Sequence, residues 1–159
     1  MALNARLSER LARLPEHSAL SKNHYIGGRY ENIYIALADL PEMRVVIDAA
    51  ITRAAEILAC EADRLRMGWW LNAMRPGDLT HAHTHDDNDE LLSGAYYIDI
   101  PKNSGSLVLM DGEKSIEIET CMGMFVFFPP YVLHKVTRNL SDYSRLSIGF
   151  NVGLSATGK

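Results

Sequence analysis

The sequence predicts a mainly β fold with N-terminal helices, an eight-stranded jelly roll packed against one or two α-helices. Helical periodicity is confined to the first 68 of the 159 residues, and from Trp69 onward short β-rich runs follow one another. Turn-forming residues fall between those runs. Eight antiparallel strands in two sheets dispose of exposed edges and leave a cavity on which side chains from several strands converge. The chain reads as a single domain, 1–159, with 1–68 as a helical support containing one strand and 69–152 as the jelly-roll core.

Leu3, Leu7, Leu11 and Leu14 recur at helical spacing, giving a short amphipathic helix that Pro15 closes and that packs on the sheet. A polar stretch with Gly27 and Gly28 follows, and 32–37 reads as a strand. Asp39 with Pro41 signals a second helix, which the apolar steps through Val45, Val46, Ala49, Ala50, Ile57 and Leu58 extend to about Arg66, with Gly68 ending it. Its exposed face could serve a homodimer as readily as the core. The strands are expected at 69–75, 79–85, 93–100, 105–110, 115–119, 123–128, 132–138 and 144–152. The chain contains no internal repeat, low-complexity tract or linker.

With 47% hydrophobic and 23% charged residues, the chain can bury roughly 68–70% of its unfolded surface without staples. The formal charge of −4 gives no positive field for phosphates or anionic lipid, so nucleic acid is not an expected partner. Met1–Leu14 is charged and amphipathic and lacks the features of a secretory signal, and nowhere do 18 apolar residues run together, so neither export nor a membrane span is expected. Cys60 and Cys121 have no metal-ligand spacing; they read as buried thiols in a reducing, cytoplasmic setting.

Chemistry concentrates in Thr80-His81-Ala82-His83-Thr84-His85, which holds three of the six histidines. On a regular strand all three rings share a face, and neutral imidazoles grouped in this way suit Fe(II), Zn(II), Ni(II) or Mn(II). His134 follows a greasy strand and the Pro129-Pro130 turn, and ten residues later comes Arg145-Leu146-Ser147. That strand is expected to lie antiparallel to the His134 strand across Asn139–Asp142, with Arg145, Ser147, Gly149 and Asn151 on one face. An arginine on a cavity face must find an anion. A metal held by His83, His85 and His134, with Arg145 and Ser147 deeper inside, forms a site for a dicarboxylate such as 2-oxoglutarate. Part of the pocket wall is expected from Tyr96, Tyr97, Phe125 and Phe127.

These residues resemble a known family. Trp70-Leu71-Asn72, Arg75-Pro76-Gly77-Asp78, His83-Thr84-His85, Ser93-Gly94-Ala95-Tyr96-Tyr97 and the Gly123–Asn151 segment with His134 and Arg-x-Ser are similar to the short 2-oxoglutarate and Fe(II)-dependent oxygenases of the double-stranded β-helix superfamily. The resemblance implies iron binding by His83 and His134 and binding of the far carboxylate of 2-oxoglutarate by Arg145 and Ser147. It further implies a dioxygenase acting on a small-molecule substrate with O2. His85 stands where that superfamily carries an acidic residue. The third ligand is therefore His85, or a carboxylate from Asp86, Asp87, Asp89 or Glu90. The pattern Gly77, His83-x-His85, Glu90 and Gly123, Pro129, His134 also resembles the two cupin motifs. That resemblance implies a three-histidine dioxygenase that does not use 2-oxoglutarate, or a non-catalytic metal-binding module.

Overall fold

The computed structural model describes residues 2–15, 18–86 and 89–155. Its elements are α1 (Leu3–Arg13), β1 (Ala19–Ile26), β2 (Arg29–Ile35), α2 (Met43–Leu58), a 3-10 turn (Ala62–Arg64), β3 (Leu65–Met74), β4 (Thr80–His83), β5 (Glu90–Asp99), β6 (Leu107–Asp111), β7 (Lys114–Ile118), β8 (Phe125–Phe128), β9 (Leu133–Val136) and β10 (Arg145–Leu154). They form a jelly roll of two antiparallel sheets, a major one ordered β1-β2-β3-β10-β5-β8 and a minor one ordered β4-β9-β6-β7. Every β-rich run after Trp69 is a strand, as expected.

The helices back the major sheet. Leu7 is fully buried, and Asn4 donates from Nδ2 to the carbonyls of Tyr97 and Ile98 at 3.0 and 2.9 Å, which fastens α1 to β5. Helix α2 buries Met43, Val46, Ala50 and Ala54 against the outer face of the sheet, together with Ile148, Phe150 and Val152 of β10. Each large apolar side chain removed from water in this way contributes about 1.5–3 kcal/mol.

Four sequence expectations are corrected. Helix α2 ends at Leu58, not near Arg66: Ala59 turns left-handed at φ 51°, the Cys60 N–H caps the Ala55 carbonyl at 3.1 Å, and Gly68 lies within β3. The polar stretch before Gly28 is strand β1, exposed along nearly all its length. Gly27 and Gly28, at φ 62° and 82°, supply the two positive-φ positions that a tight hairpin into β2 requires. Strand β10 does not pair with β9: it runs between β3 and β5 in the other sheet. The connection crosses between sheets, and buried Asn139 pins it, donating from Nδ2 to the carbonyls of Met74 and Tyr143 at 3.0 and 2.8 Å. Finally, Cys60 is half-buried and Cys121 is exposed, because Cys121 opens the tight turn that closes with the Met124 N–H on its carbonyl at 3.2 Å.

Among the described residues no helix is long and apolar enough to cross a membrane.

Candidate active site

His83 ends β4, and its cross-strand partner on β9 is His134. The chain then leaves the sheet, and the His85 N–H donates to the Pro130 carbonyl at 2.9 Å, which turns the His85 ring back toward the other two. Ring centroids lie 4.3 Å apart for His83 and His134, 4.8 Å for His83 and His85, and 5.0 Å for His85 and His134. One ligand nitrogen from each comes within 4.8 Å of the others, close enough to share an ion. His83 Nδ1 faces the His81 carbonyl at 2.8 Å and His134 Nδ1 faces the Val132 carbonyl at 3.0 Å. A carbonyl only accepts, so each Nδ1 carries the proton and each Nε2 presents a lone pair.

Burial keeps two of the rings, His85 and His134, uncharged. Burial, then the nearby His134 and His83, push His85 down to about 3, and burial followed by His83 pushes His134 down to about 4.

His81 does not join them. The β4–β9 register shifts between Thr80 and His83, so the extra residue turns Thr80 and His83 to the interior together. The His81 ring and N–H instead meet Glu31 Oε1, at 3.1 and 3.0 Å. The carboxylates considered as a third ligand are engaged elsewhere or stand apart from the cluster. Asp86 accepts from Thr84 Oγ1 at 2.6 Å, Asp89 pairs with Arg66 at 2.6 Å, and Glu90 is not among the clustered ligand atoms. Asp87 lies outside the described residues.

Arg145 and Ser147 open β10 and line the same cavity as the three rings. Arg145 is 0% exposed. Nη1 donates to Ser147 Oγ at 3.3 Å and Nη2 to Thr120 Oγ1 at 3.2 Å, the guanidinium lies 5.1 Å from the Tyr97 ring centroid, and Nε has no partner. Among the described residues no carboxylate pairs with it. Burial lowers the pKa of Arg145, as expected for a cation lacking a counter-charge.

Strand alternation corrects the expected wall. Tyr97 and Phe128 face the cavity, the latter 4.6 Å from His134, whereas Tyr96, Phe125 and Phe127 point to the helix side, where the Tyr96 hydroxyl donates to Asn4 Oδ1. The cavity offers about 50 Å³, room for roughly four waters at about 10–15 Å³ each. Two of its neighbours went unnoticed in the sequence. His24 of β1, held at φ 53°, brings its ring centroid within 6.4 Å of that of His83, and Asn32 of β2 lines the wall. The Gly27-Gly28 pair was the available hairpin signal for both.

Residues 68–121, about a third of the chain and including His83 and His85, match the family described as "Putative 2OG-Fe(II) oxygenase". The fold is that of the 2OG-Fe(II) oxygenases. An oxidoreductase of the 2OG-Fe(II) oxygenase family from Burkholderia pseudomallei superposes with a TM-score of 0.69 at 13% identity, over 94% of this chain and 77% of that one. A prolyl-4-hydroxylase from Pseudomonas putida gives 0.63 at 17% identity, over 97% and 86%. A prolyl hydroxylase from Trichoplax adhaerens, solved with a hypoxia inducible factor oxygen degradation domain peptide, gives 0.67 at 12% identity, over 96% and 79%. No curated protein matches the chain.

Proposed function

We propose that the protein is an Fe(II)- and 2-oxoglutarate-dependent dioxygenase that oxidises a C–H bond of a small molecule or amino-acid side chain, most simply by hydroxylation. The observation that carries this reading is Arg145: a fully buried guanidinium that no carboxylate of the described residues pairs, in the same cavity as three clustered imidazoles. An unpaired buried cation is costly, and a ligand carboxylate relieves that cost through a forked, charge-assisted pair.

The residues present fit both groups. His83, His85 and His134 would hold the iron, since three neutral nitrogens form a borderline donor set suited to it. With all three rings neutral, the site carries one more positive charge than a set with one carboxylate. The iron and 2-oxoglutarate supply the oxidising chemistry with O2, releasing succinate and CO2. The chain's own residues orient and exclude. Arg145 and Ser147 would receive the far carboxylate, Thr120 steadies Nη2, and the backbone carbonyls of His81 and Val132 fix the tautomers of two rings. Phe128 and Tyr97 keep bulk water from the wall.

The test is anaerobic reconstitution with Fe(II), addition of O2, and measurement of succinate formed from 2-oxoglutarate, with Arg145→Ala as control. Succinate from the parent protein and none from the variant is the expected result. Absence of turnover together with absence of 2-oxoglutarate binding by calorimetry overturns the reading, and O2 consumption without 2-oxoglutarate favours the cupin-type alternative.

A further inference from the structure

Asn32 is a buried polar side chain of the cavity that the scheme above does not use. It is 8% exposed, lines the wall, and makes no side-chain hydrogen bond to any described residue. Its neighbour across the β2–β3 pairing is fully committed: Asn72 Oδ1 accepts from Arg29 Nη1 at 3.1 Å, and Asn72 Nδ2 donates to Thr80 Oγ1 at 3.1 Å.

The register sets the two ends of the cavity apart. Ile33 lies opposite Leu71, which places Asn32 beside Asn72; Asn72 lies opposite Ser147, and Ser147 opposite Tyr97. A polar row of Asn32, Asn72, Ser147 and Tyr97 therefore crosses four strands. Arg145 holds Ser147 near one end, and the Asn32 carboxamide stands open at the other. Trp70 adds a second neutral group on that side. Its indole packs so closely on Gly149 that a Cβ there would lie 2.5 Å from Nε1, and its ring centroid is 5.3 Å from that of His85.

We propose that Asn32 recognises the molecule to be oxidised, pairing its amide donors and carbonyl acceptor with a neutral amide or hydroxyl group of that molecule. The inference rests on the proposed function in one respect, that the Arg145 end is kept for 2-oxoglutarate. Substrate class follows from charge. Among the described residues of the cavity wall Arg145 alone carries a formal charge, and the two carboxylates of 2-oxoglutarate would offset a divalent ion on the three histidines, so with both bound an ammonium or carboxylate entering at the Asn32 end would shed its water without a counter-ion. A carboxamide offers two donors and two lone pairs, which a neutral amide or hydroxyl can meet. The part of the substrate that enters is therefore uncharged and hydrogen-bonding, whatever the remainder carries.

Acetamide is the probe, with acetate and acetamidinium as charged isosteres. Nitrogen-15-labelled protein loaded with Zn(II) is titrated with each, with and without saturating 2-oxoglutarate, following the Asn32 side-chain amide resonance. The expected result is a saturable acetamide shift, binding of both charged isosteres at least tenfold weaker when 2-oxoglutarate is present, and, read in the two variants from the side-chain amide of neighbouring Asn72, at least tenfold loss of acetamide affinity in Asn32→Leu with the 2-oxoglutarate Kd within twofold of the parent. Asn32→Asp, nearly identical in shape, guards against a folding defect: its preference should switch from acetamide to acetamidinium. Equal binding of the three probes, unchanged acetamide affinity in Asn32→Leu, or no switch in Asn32→Asp overturns the proposal. Failure of the parent to bind 2-oxoglutarate strikes the proposed function instead, and the titration without 2-oxoglutarate still reads the Asn32 contact.

Discussion

His83 and His134 are cross-strand partners that use the same device: each directs Nδ1 at the carbonyl two residues earlier in its own chain, at 2.8 and 3.0 Å. Two neighbouring strands thus set two tautomers before any ion arrives, so little reorganisation is left for binding.

That arrangement gives the ligand-free protein a defined response to acid. His85, at about 3, and His134, at about 4, bind protons in the folded chain only well below the ordinary histidine value of about 6.5, where the unfolded chain already binds them. From about pH 6.5 down to about 4 the unfolded chain holds more protons, so their contribution to stability is full above that window and is lost as pH falls through it. Thermal melts in chelator should show Tm dropping between pH 7 and pH 5 by at least roughly 2–4 °C, the effect of about 1 kcal/mol on a chain of this size. His85→Gln/His134→Gln should flatten the profile. Saturating Zn(II) at pH 7 should raise Tm, with about 2.7 kcal/mol gained at a hundred times Kd.

Arg145→Met should separate stability from binding. Removing an uncompensated buried cation is expected to stabilise the ligand-free fold by about 1–3 kcal/mol, judged from swaps of buried charges for apolar side chains. The same change should cost at least 100-fold in 2-oxoglutarate affinity, since each charge-assisted hydrogen bond contributes about 1.5–3 kcal/mol. Arg145→Lys should recover only part of that affinity, because an ammonium lacks the forked geometry. Chemical denaturation and calorimetry measure the two effects.

Glu31 sets the register on which His83 depends. Buried at 3% exposure, it takes the His81 N–H and ring and sits 3.7 Å from Arg29 Nη2, which itself donates to the Leu79 carbonyl at 2.9 Å and Thr80 Oγ1 at 3.0 Å. Glu31→Ala should destabilise by about 3–5 kcal/mol, the cost of removing one partner of a buried pair, and weaken Zn(II) binding roughly tenfold or more. Glu31→Gln keeps an acceptor for the His81 N–H, so it should restore most of the metal affinity while remaining less stable.

Gly149→Ala should register at the metal site without touching it. The new methyl would lie 2.5 Å from Trp70 Cε2 and Nε1, and Trp70 abuts His85. Overpacking of this kind costs about 1–3 kcal/mol. Tryptophan fluorescence should shift and Zn(II) affinity should fall; an unchanged spectrum with unchanged affinity would show that the indole has room to move.

Much of the site was legible in the sequence because its signals are local. The spacing of His83 and His85 and the step from His134 to Arg145 and Ser147 mark residues that the fold brings to one cavity. Two kinds of feature were not legible. Strand β1 buries almost nothing, so it carries no alternating pattern, and with it His24 and the depth of Asn32 went unseen. The face of His81 depended on one inserted residue in β4, and an alternation rule cannot anticipate a register shift. The end of α2 at Ala59 was missed because apolar spacing continues past it, while the left-handed cap there is a backbone event without a glycine to mark it.

The three imidazoles come from one side of the minor sheet, His83 from its edge strand β4, His85 from two residues beyond the end of β4 and His134 from the neighbouring β9, whereas the guanidinium belongs to β10 at the centre of the major sheet. A diacid gripped by both would act as a rivet through two leaves. Loading ion and diacid together should therefore tighten hydrogen exchange across both sheets by more than the sum of either alone, with the slowest-opening amides shared between leaves that otherwise breathe separately.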